Sequence, residues 1–379
     1  MESALGIART APRALIVGGR RFLGTLVAEL PKSVRRQRTV LALILVYWIS
    51  GLVVGQMAGM PWSATITTYL PTFTAIMPMM IGALLIGRSL VIMIVDRPAR
   101  PLTQLAHEIR TSLATPQRIA HAVPMLAGML VFGGTFTVMK ASIPSLAPFA
   151  WDVQFEQLDR WLHGGIAPWE LLQPILGVPL ITHAINWAYN FWFYFLGLIW
   201  LWQAFSQRDD RLRLRFFLTL ILGWILLGNI AATMFSSAGP CYFGRVTGLA
   251  DPFVPLMSYL HEASRSHAVW ALEAQEMLWH NYSLREVALG SGISAMPSMH
   301  VAMATLFALV CWRTKRWLGI AMTIYAIVIM IGAVHLGWHY AVDGYASALG
   351  IMLIWWVVGR ALDRKDAARS MAAAIDPAQ

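Results

Sequence analysis

Long apolar runs separated by short polar segments dominate the chain. Eight stretches lack the alternation of a half-buried strand and are long or apolar enough to predict membrane helices: 40–58, 73–95, 119–139, 180–205, 216–235, 297–312, 317–335 and 340–359. A spanning helix needs about 20 such residues. The stretch 297–312 falls short of that, at roughly 24 Å for about 1.5 Å per residue against a core of roughly 30 Å. Its start is therefore expected slightly below one membrane surface. The expected fold is an all-α, polytopic membrane protein with about eight spans.

Two of the segments between spans are too long for simple connectors. Segment 140–178 mixes aromatic and charged residues (Trp151-Asp152, Asp159-Arg160-Trp161, Pro168-Trp169), which suits helices lying in the interface. Segment 237–296 opens on Gly239-Pro240-Cys241-Tyr242-Phe243-Gly244-Arg245 and runs directly into the sixth span. Residues 14–30 read as an amphipathic surface helix, and the Ala-rich tail 367–379 as disordered. Residues 1–38 scatter eight basic side chains and show no cleavage-type apolar core, so no signal peptide is expected.

Charge placement orients the bundle. With the N-terminus inside, the inside segments carry 23 Lys/Arg. The outside segments carry five: Lys140, Arg160, Arg245, Arg265 and Arg285. The acidic residues divide evenly, and Arg88 and Asp343 lie within spans. This asymmetry follows the positive-inside rule, placing both termini in the cytoplasm. It accounts for the net charge of +10 through a cytoplasmic leaflet, with no nucleic acid. Composition agrees: 58% apolar and 13% charged residues exclude an ordinary soluble enzyme. The 17 Trp suit interfacial belts. Cys241 and Cys311 fall on opposite faces in this topology and are expected to stay unpaired. His121 and His183, near span ends, read as structural, and Arg88 as a side chain reaching for the inner surface.

Ionisable residues in spans are costly and are candidates for function. Pro297-Ser298-Met299-His300 heads the sixth span, where a helix N-terminus favours an anion such as phosphate. Ser298 is read as a cap or a phosphate contact. His339 and Asp343 head the eighth span four residues apart, which on a helix shares a face. The carboxylate would accept the imidazole N–H and free the other nitrogen for attack. The chain passes down the sixth span and up the seventh, so His300 and His339 return to the same outer side. His335 continues the same four-residue step. That pattern suits supporting contacts, or metal ligands on one helix face.

These motifs resemble the type-2 phosphatidic acid phosphatase superfamily, whose second motif ends Pro-Ser-x-His and whose third ends His-x-x-x-Asp. The resemblance spans roughly 119–360 as a six-span core. It leaves 1–39 as a basic cytoplasmic tail, 40–118 as two accessory spans with a cytoplasmic loop, and 361–379 as a second tail. Within the superfamily the chain looks most like the inositol phosphorylceramide synthase and sphingomyelin synthase branch. Gly332-Ala333 replaces the usual Ser-Arg of the third motif. The first motif, Lys-x6-Arg-Pro, is missing. Lys140…Ala147-Pro148 comes close but lacks the Arg and follows another span. In the synthase branch a Pro-rich aromatic segment stands there, to which Gly239-Pro240-Cys241-Tyr242 is similar.

The resemblance implies a metal-independent lipid phosphatase or phosphotransferase without a cofactor, acting on membrane lipids at the outer face of a cell (inner) membrane. His339 would form a phospho-histidine, Asp343 would orient it, and His300 would be the acid and base. Ser298 and Arg245 would hold phosphate, with His335, Tyr242 and Lys140 in support. Arg245 also reads as a plain interfacial charge. Two other classes stay open on the residues alone. One is a proton-coupled lipid or solute transporter using the buried His–Asp pair, although the halves show no repeat. The other is a haem carrier ligated by His300 and His339.

Overall fold

The computed structural model describes residues 2–67, 69–284, 286 and 290–375, with side chains from residue 19 onward except at 369 and 372–375. Arg285, counted above with the outside charges, lies outside the described residues, as does 376–379 of the tail. Among the described residues there is no strand.

Helix α1 (Glu2–Met57) joins the basic segment and the first span in one helix, so 14–30 is continuous with that span. A short α2 (Ala64–Thr67) leads into α3 (Leu70–Val91), which closes on a π-turn at Ile92–Asp96. Then follow α4 (Pro101–Glu108) and α5 (Pro116–Leu146). Pro116 stands where a missing N–H costs nothing, and the Thr115 hydroxyl accepts the Arg118 N–H at 3.3 Å. Helices α6 (Asp152–Leu162) and α7 (Pro168–Leu176) fill the first long segment.

The fourth predicted span is broken at Phe191 into α8 (Pro179–Asn190) and α9 (Trp192–Phe205). The fifth is α10 (Asp210–Ile225), a π-turn, and α11 (Ala232–Met234). The second long segment folds as α12 (Phe243–Thr247), α13 (Val254–Ala263) and α14 (Trp270–Leu284). The last three spans are α15 (Met299–Trp312), α16 (Arg316–His335) and α17 (Ala341–Ile375). Helix α17 carries most of the tail expected to be disordered.

Among the described residues six helical stretches are long and apolar enough to cross a membrane: Gly19–Met57, Ala64–Asp96, Pro116–Leu146, Asp210–Met234, Arg316–His335 and Ala341–Ala368. Helix α15 is shorter, and the fourth span is the broken pair. The eight apolar stretches are thus all helical, with six of full spanning length.

The core sits between α10, α15, α16 and α17, which pack on one another, with α8 against α16. Val40, Ile44 and Tyr47 of α1 belong to that same buried cluster. The Tyr47 hydroxyl meets Asn229 Oδ1 at 2.5 Å. Buried Arg213 donates to the Gln203 carbonyl (3.0 Å), Gln37 Oε1 (3.1 Å) and the His121 carbonyl (3.4 Å). It thereby joins α1, α5, α9 and α10. Arg88 binds Glu108 through two bonds of 2.8 Å and lies 3.0 Å from Asp96. It closes α3 on α4, through two acidic residues of the segment 96–118. Cys241 and Cys311 are free thiols.

Arg213→Ala removes a donor from three buried acceptors; the His121 and Gln203 carbonyls keep the Gln37 amide and the Ser206 N–H, while Gln37 Oε1 loses its partner, at a cost of about 1–3 kcal/mol in comparable cases. The expected outcome is a lower thermal midpoint in detergent micelles. Arg364→Ala, on an exposed face, should leave the midpoint essentially unchanged. Equal midpoints for the two variants would show that Arg213 does not tie the bundle.

Candidate active site

Two helix starts and one buried loop build the site. Helix α15 begins at Met299, so Ser298 is its N-cap and Pro297 precedes the cap. The Ser298 N–H donates to the Asp343 carbonyl at 3.3 Å, which ties the start of α15 to that of α17. The Ser298 side chain does not cap its helix. Its Oγ is buried and has no hydrogen-bond partner among the described residues. At 14 residues, α15 spans roughly 21 Å, about a third less than a hydrocarbon core.

Residues 336–340 are not helical. Gly337 takes a left-handed φ of +73° and the N–H groups of Trp338 and His339 fold back on the Ala333 carbonyl, both at 3.0 Å. His335 ends α16 and His339 precedes α17, so the expected shared helix face for His335, His339 and Asp343 does not form. His335 instead bonds Thr182 Oγ1 at 2.9 Å, and Thr182 bonds the Tyr259 hydroxyl at 2.7 Å. Among the described residues no three His, Cys, Asp or Glu side chains gather as metal ligands. His121 and His183 sit in structural contacts, the first beside Arg213 and the second bonded to Ser266 at 3.2 Å.

His339 is oriented chiefly by a backbone group that the motif did not reveal. Its Nδ1 lies 2.9 Å from the Ala295 carbonyl and 3.4 Å from Asp343 Oδ2. A carbonyl can only accept, so Nδ1 carries the proton and Nε2 keeps its lone pair. Burial, with the nearby charge of Lys140 adding to it, holds the imidazole well below its usual pKa. His339 is therefore neutral at physiological pH. Asp343 also anchors the turn beside it, where Oδ2 accepts the Tyr340 N–H at 3.0 Å, the acidic half of a capping box. Its Oδ1 is buried without a partner among the described residues.

His300 sits in an aromatic box. Tyr189 stacks on it with centroids 4.4 Å apart, Trp192 lies at 4.3 Å and Phe193 meets it edge-on at 5.9 Å. The indole N–H of Trp192 donates to the His300 carbonyl at 3.0 Å. Tyr189 and Trp192, on either side of the break at Phe191, are buried, while Phe193 is exposed. Their signal in the sequence was the aromatic crowding of the fourth span, there indistinguishable from lipid packing.

Segment 236–242 is the frame. The Ala295 N–H and Met296 N–H bond the Ser237 carbonyl and hydroxyl at 2.9 and 3.2 Å. The Cys241 N–H bonds the Gly337 carbonyl at 3.0 Å. Asp152 accepts the Ala238 and Gly239 N–H groups at 2.9 and 2.8 Å. Gly239 has φ +103°, and a Cβ there would stand 2.6 Å from the Trp338 carbonyl oxygen. Tyr242 is buried, its hydroxyl donating to the Gln275 carbonyl at 2.8 Å. The Pro-rich segment thus supports the site through its backbone.

The structure separates the two basic candidates. Arg245 is exposed, paired with Glu276 at 2.5 Å and lying over Trp279 at 5.2 Å. Lys140, half-buried near the end of α5, exerts its charge on both His300 and His339. Its backbone is crossed by Gly292, where a Cβ would meet Lys140 atoms at 2.8–2.9 Å. Lys140 has no ion pair among the described residues. A neutral imidazole, a boxed imidazole, a half-buried cation, a buried serine hydroxyl and a helix N-terminus thus come together at one site. Groups of these kinds can hold an oxyanion and present a nucleophile.

A sequence model of the PAP2 superfamily matches residues 153–357, more than half of the chain. The chain belongs to the PAP2 superfamily. Neither the curated proteins nor the solved structures give a match. PAP2 superfamily members are generally phosphatases or phosphotransferases acting on lipid phosphates. The match takes in His300, His339 and Asp343 and begins after Lys140.

Charge-assisted hydrogen bonds contribute about 1.5–3 kcal/mol, so Lys140→Ala should weaken vanadate binding about tenfold or more. Arg245→Ala should leave it nearly unchanged. Isothermal titration of the detergent-solubilised protein reads both, and the reverse order would return the anion to Arg245.

Proposed function

We propose that the protein is a lipid phosphotransferase or phosphatase of the PAP2 superfamily working through a phospho-histidine. The observation that carries this is the His339 ring, whose Nδ1–H is held by the Ala295 carbonyl, leaving Nε2 with a free lone pair beside the charge of Lys140.

Nε2 of His339 attacks phosphorus of a lipid phosphate ester. The P–O bond to the leaving group breaks, and the leaving oxygen takes its proton from His300. His300, now neutral, then takes a proton from the acceptor hydroxyl or from water. That oxygen attacks phosphorus, the P–N bond breaks and neutral His339 returns. Burial works against a charged His300, and the faces of Tyr189 and Trp192 offset part of that cost for the imidazolium through cation–π attraction. Lys140, Ser298 and the first turn of α15 hold the phosphate oxygens. Asp343 secures Tyr340 and supports the His339 ring from 3.4 Å.

Transfer to a lipid or polyol hydroxyl is the preferred outcome, in the inositol phosphorylceramide synthase and sphingomyelin synthase branch. The three helices α12–α14 add an outer structure larger than hydrolysis requires. The charge asymmetry supports an inner membrane location with both termini cytoplasmic and the site on the outer face. Residues 119–360 form the catalytic unit, and the first span is docked on it.

The purified protein in lipid–detergent micelles is offered a panel of lipid phosphates and phospholipids, with and without an alcohol acceptor and in EDTA. Turnover that persists in EDTA and falls by orders of magnitude in His339→Ala is expected, with acid-labile, base-stable phosphate trapped on the parent protein. New phosphodiester lipid without free phosphate marks transfer, and free phosphate marks hydrolysis. Full activity in His339→Ala would overturn the phospho-histidine.

A further inference from the structure

Helix α6 is amphipathic in reverse. Leu158, Trp161 and Leu162 are exposed on its outer face, while Asp152, Phe155 and Asp159 are buried on its inner face. The two aspartates are seven residues apart, two turns, and so point the same way. Asp159 grips the start of α17. Its Oδ2 accepts the Ala341 N–H at 2.7 Å and its Oδ1 accepts the Val342 N–H at 2.9 Å. These are two of the four N–H groups that a helix leaves unpaired at its start, where an anion is also favoured by the helix dipole. Asp152 holds the hydroxyl of Tyr340 at 2.9 Å, along with the frame loop. Caps come as a rule from the adjoining sequence. This one comes from a helix 182 residues away in the chain.

Only Tyr340 separates His339 from the gripped turn. We propose that Asp159 is a positioning residue for the reaction, fixing through the first turn of α17 where His339 presents Nε2. The inference rests on the phospho-histidine reading. It assigns α6 a part in the chemical step, while substrate binding stays with Lys140 and α15.

Burial pushes Asp159 up to about 6 against the pull of its two N–H bonds, and the Asp343 charge adds to the rise. The other titratable groups around it are His163 on α6 and Tyr345 on α17, which bond each other at 2.9 Å. As pH falls through that value, one carboxylate oxygen gains a proton, the grip weakens and turnover falls.

Asp159→Asn keeps one acceptor and does not titrate. A displacement near 1 Å costs up to about a hundredfold, so kcat should fall about 10- to 100-fold with KM nearly constant. The variant's remaining turnover should lose the fall below about pH 6 seen in the parent. The nitrogen-15 signals of the His339 imidazole, assigned through a His339 variant, should shift. Asp159→Glu keeps the charge and should keep the acid limb; it carries the test if the Asn variant does not fold. Parental kcat with an unmoved His339 signal would overturn the inference. So would a loss of activity that merely follows a loss of thermal stability. An active His339→Ala protein would remove the phospho-histidine reading by itself, and the imidazole signal would still report whether Asp159 places the ring.

Discussion

The hydrogen bond from His339 Nδ1 to the Ala295 carbonyl, 2.9 Å long, is the contact on which the site depends. It chooses the tautomer, aims the free nitrogen and joins the loop before α15 to the loop before α17. Nothing in that bond is strong by itself; a buried neutral pair contributes about 1 kcal/mol. Its effect comes from how firmly both ends are held. Ala295 is fixed by Ser237, and the loop carrying His339 is fixed by the Ala333 carbonyl, Asp343 and Asp152.

The need to satisfy backbone groups explains the rest of the arrangement. In a buried, low-dielectric site an unpaired N–H costs as much as a lost hydrogen bond or more. Irregular backbone at membrane depth is tolerated only where protein covers it. The 236–242 and 336–340 loops meet this demand by bonding each other and by borrowing the carboxylates of α6 and α17. Ser298 Oγ and Asp343 Oδ1, unpaired among the described residues, lie at the two helix starts. Lys140, which has no ion pair among the described residues, brings its charge to bear on both histidines. In the proposed function a tetrahedral phosphate supplies acceptors for the serine hydroxyl and the ammonium.

Much of this was legible from the residue pattern. Apolar runs announced the helices, and Pro-Ser-x-His with His-x-x-x-Asp announced the two histidines and the carboxylate. What pattern could not supply was which partners meet. The four-residue step from His335 to Asp343 imitates one helix face, but Gly337 turns the backbone left-handed and sends His335 to Thr182. Arg245 looked like the spare cation because its neighbour Glu276 is 31 residues away in sequence. Lys140 looked secondary because its helix lies outside the usual order of motifs. Asp152 and Asp159 stood out in the sequence only as part of the charged and aromatic mix of an interfacial segment, since it is the packed α6 that turns them inward. A backbone carbonyl, such as that of Ala295, leaves no trace in a motif at all.

The most direct test is an experimental structure of the protein bound to tungstate, a tetrahedral mimic of the transferred phosphoryl group. Tungstate should be bonded to Nε2 of His339, with Nδ1 still on the Ala295 carbonyl and with Lys140, Ser298 and the first turn of α15 around the oxygens. Tungstate seated at Arg245, or Nε2 of His339 turned into a protein hydrogen bond, would contradict a nucleophilic His339.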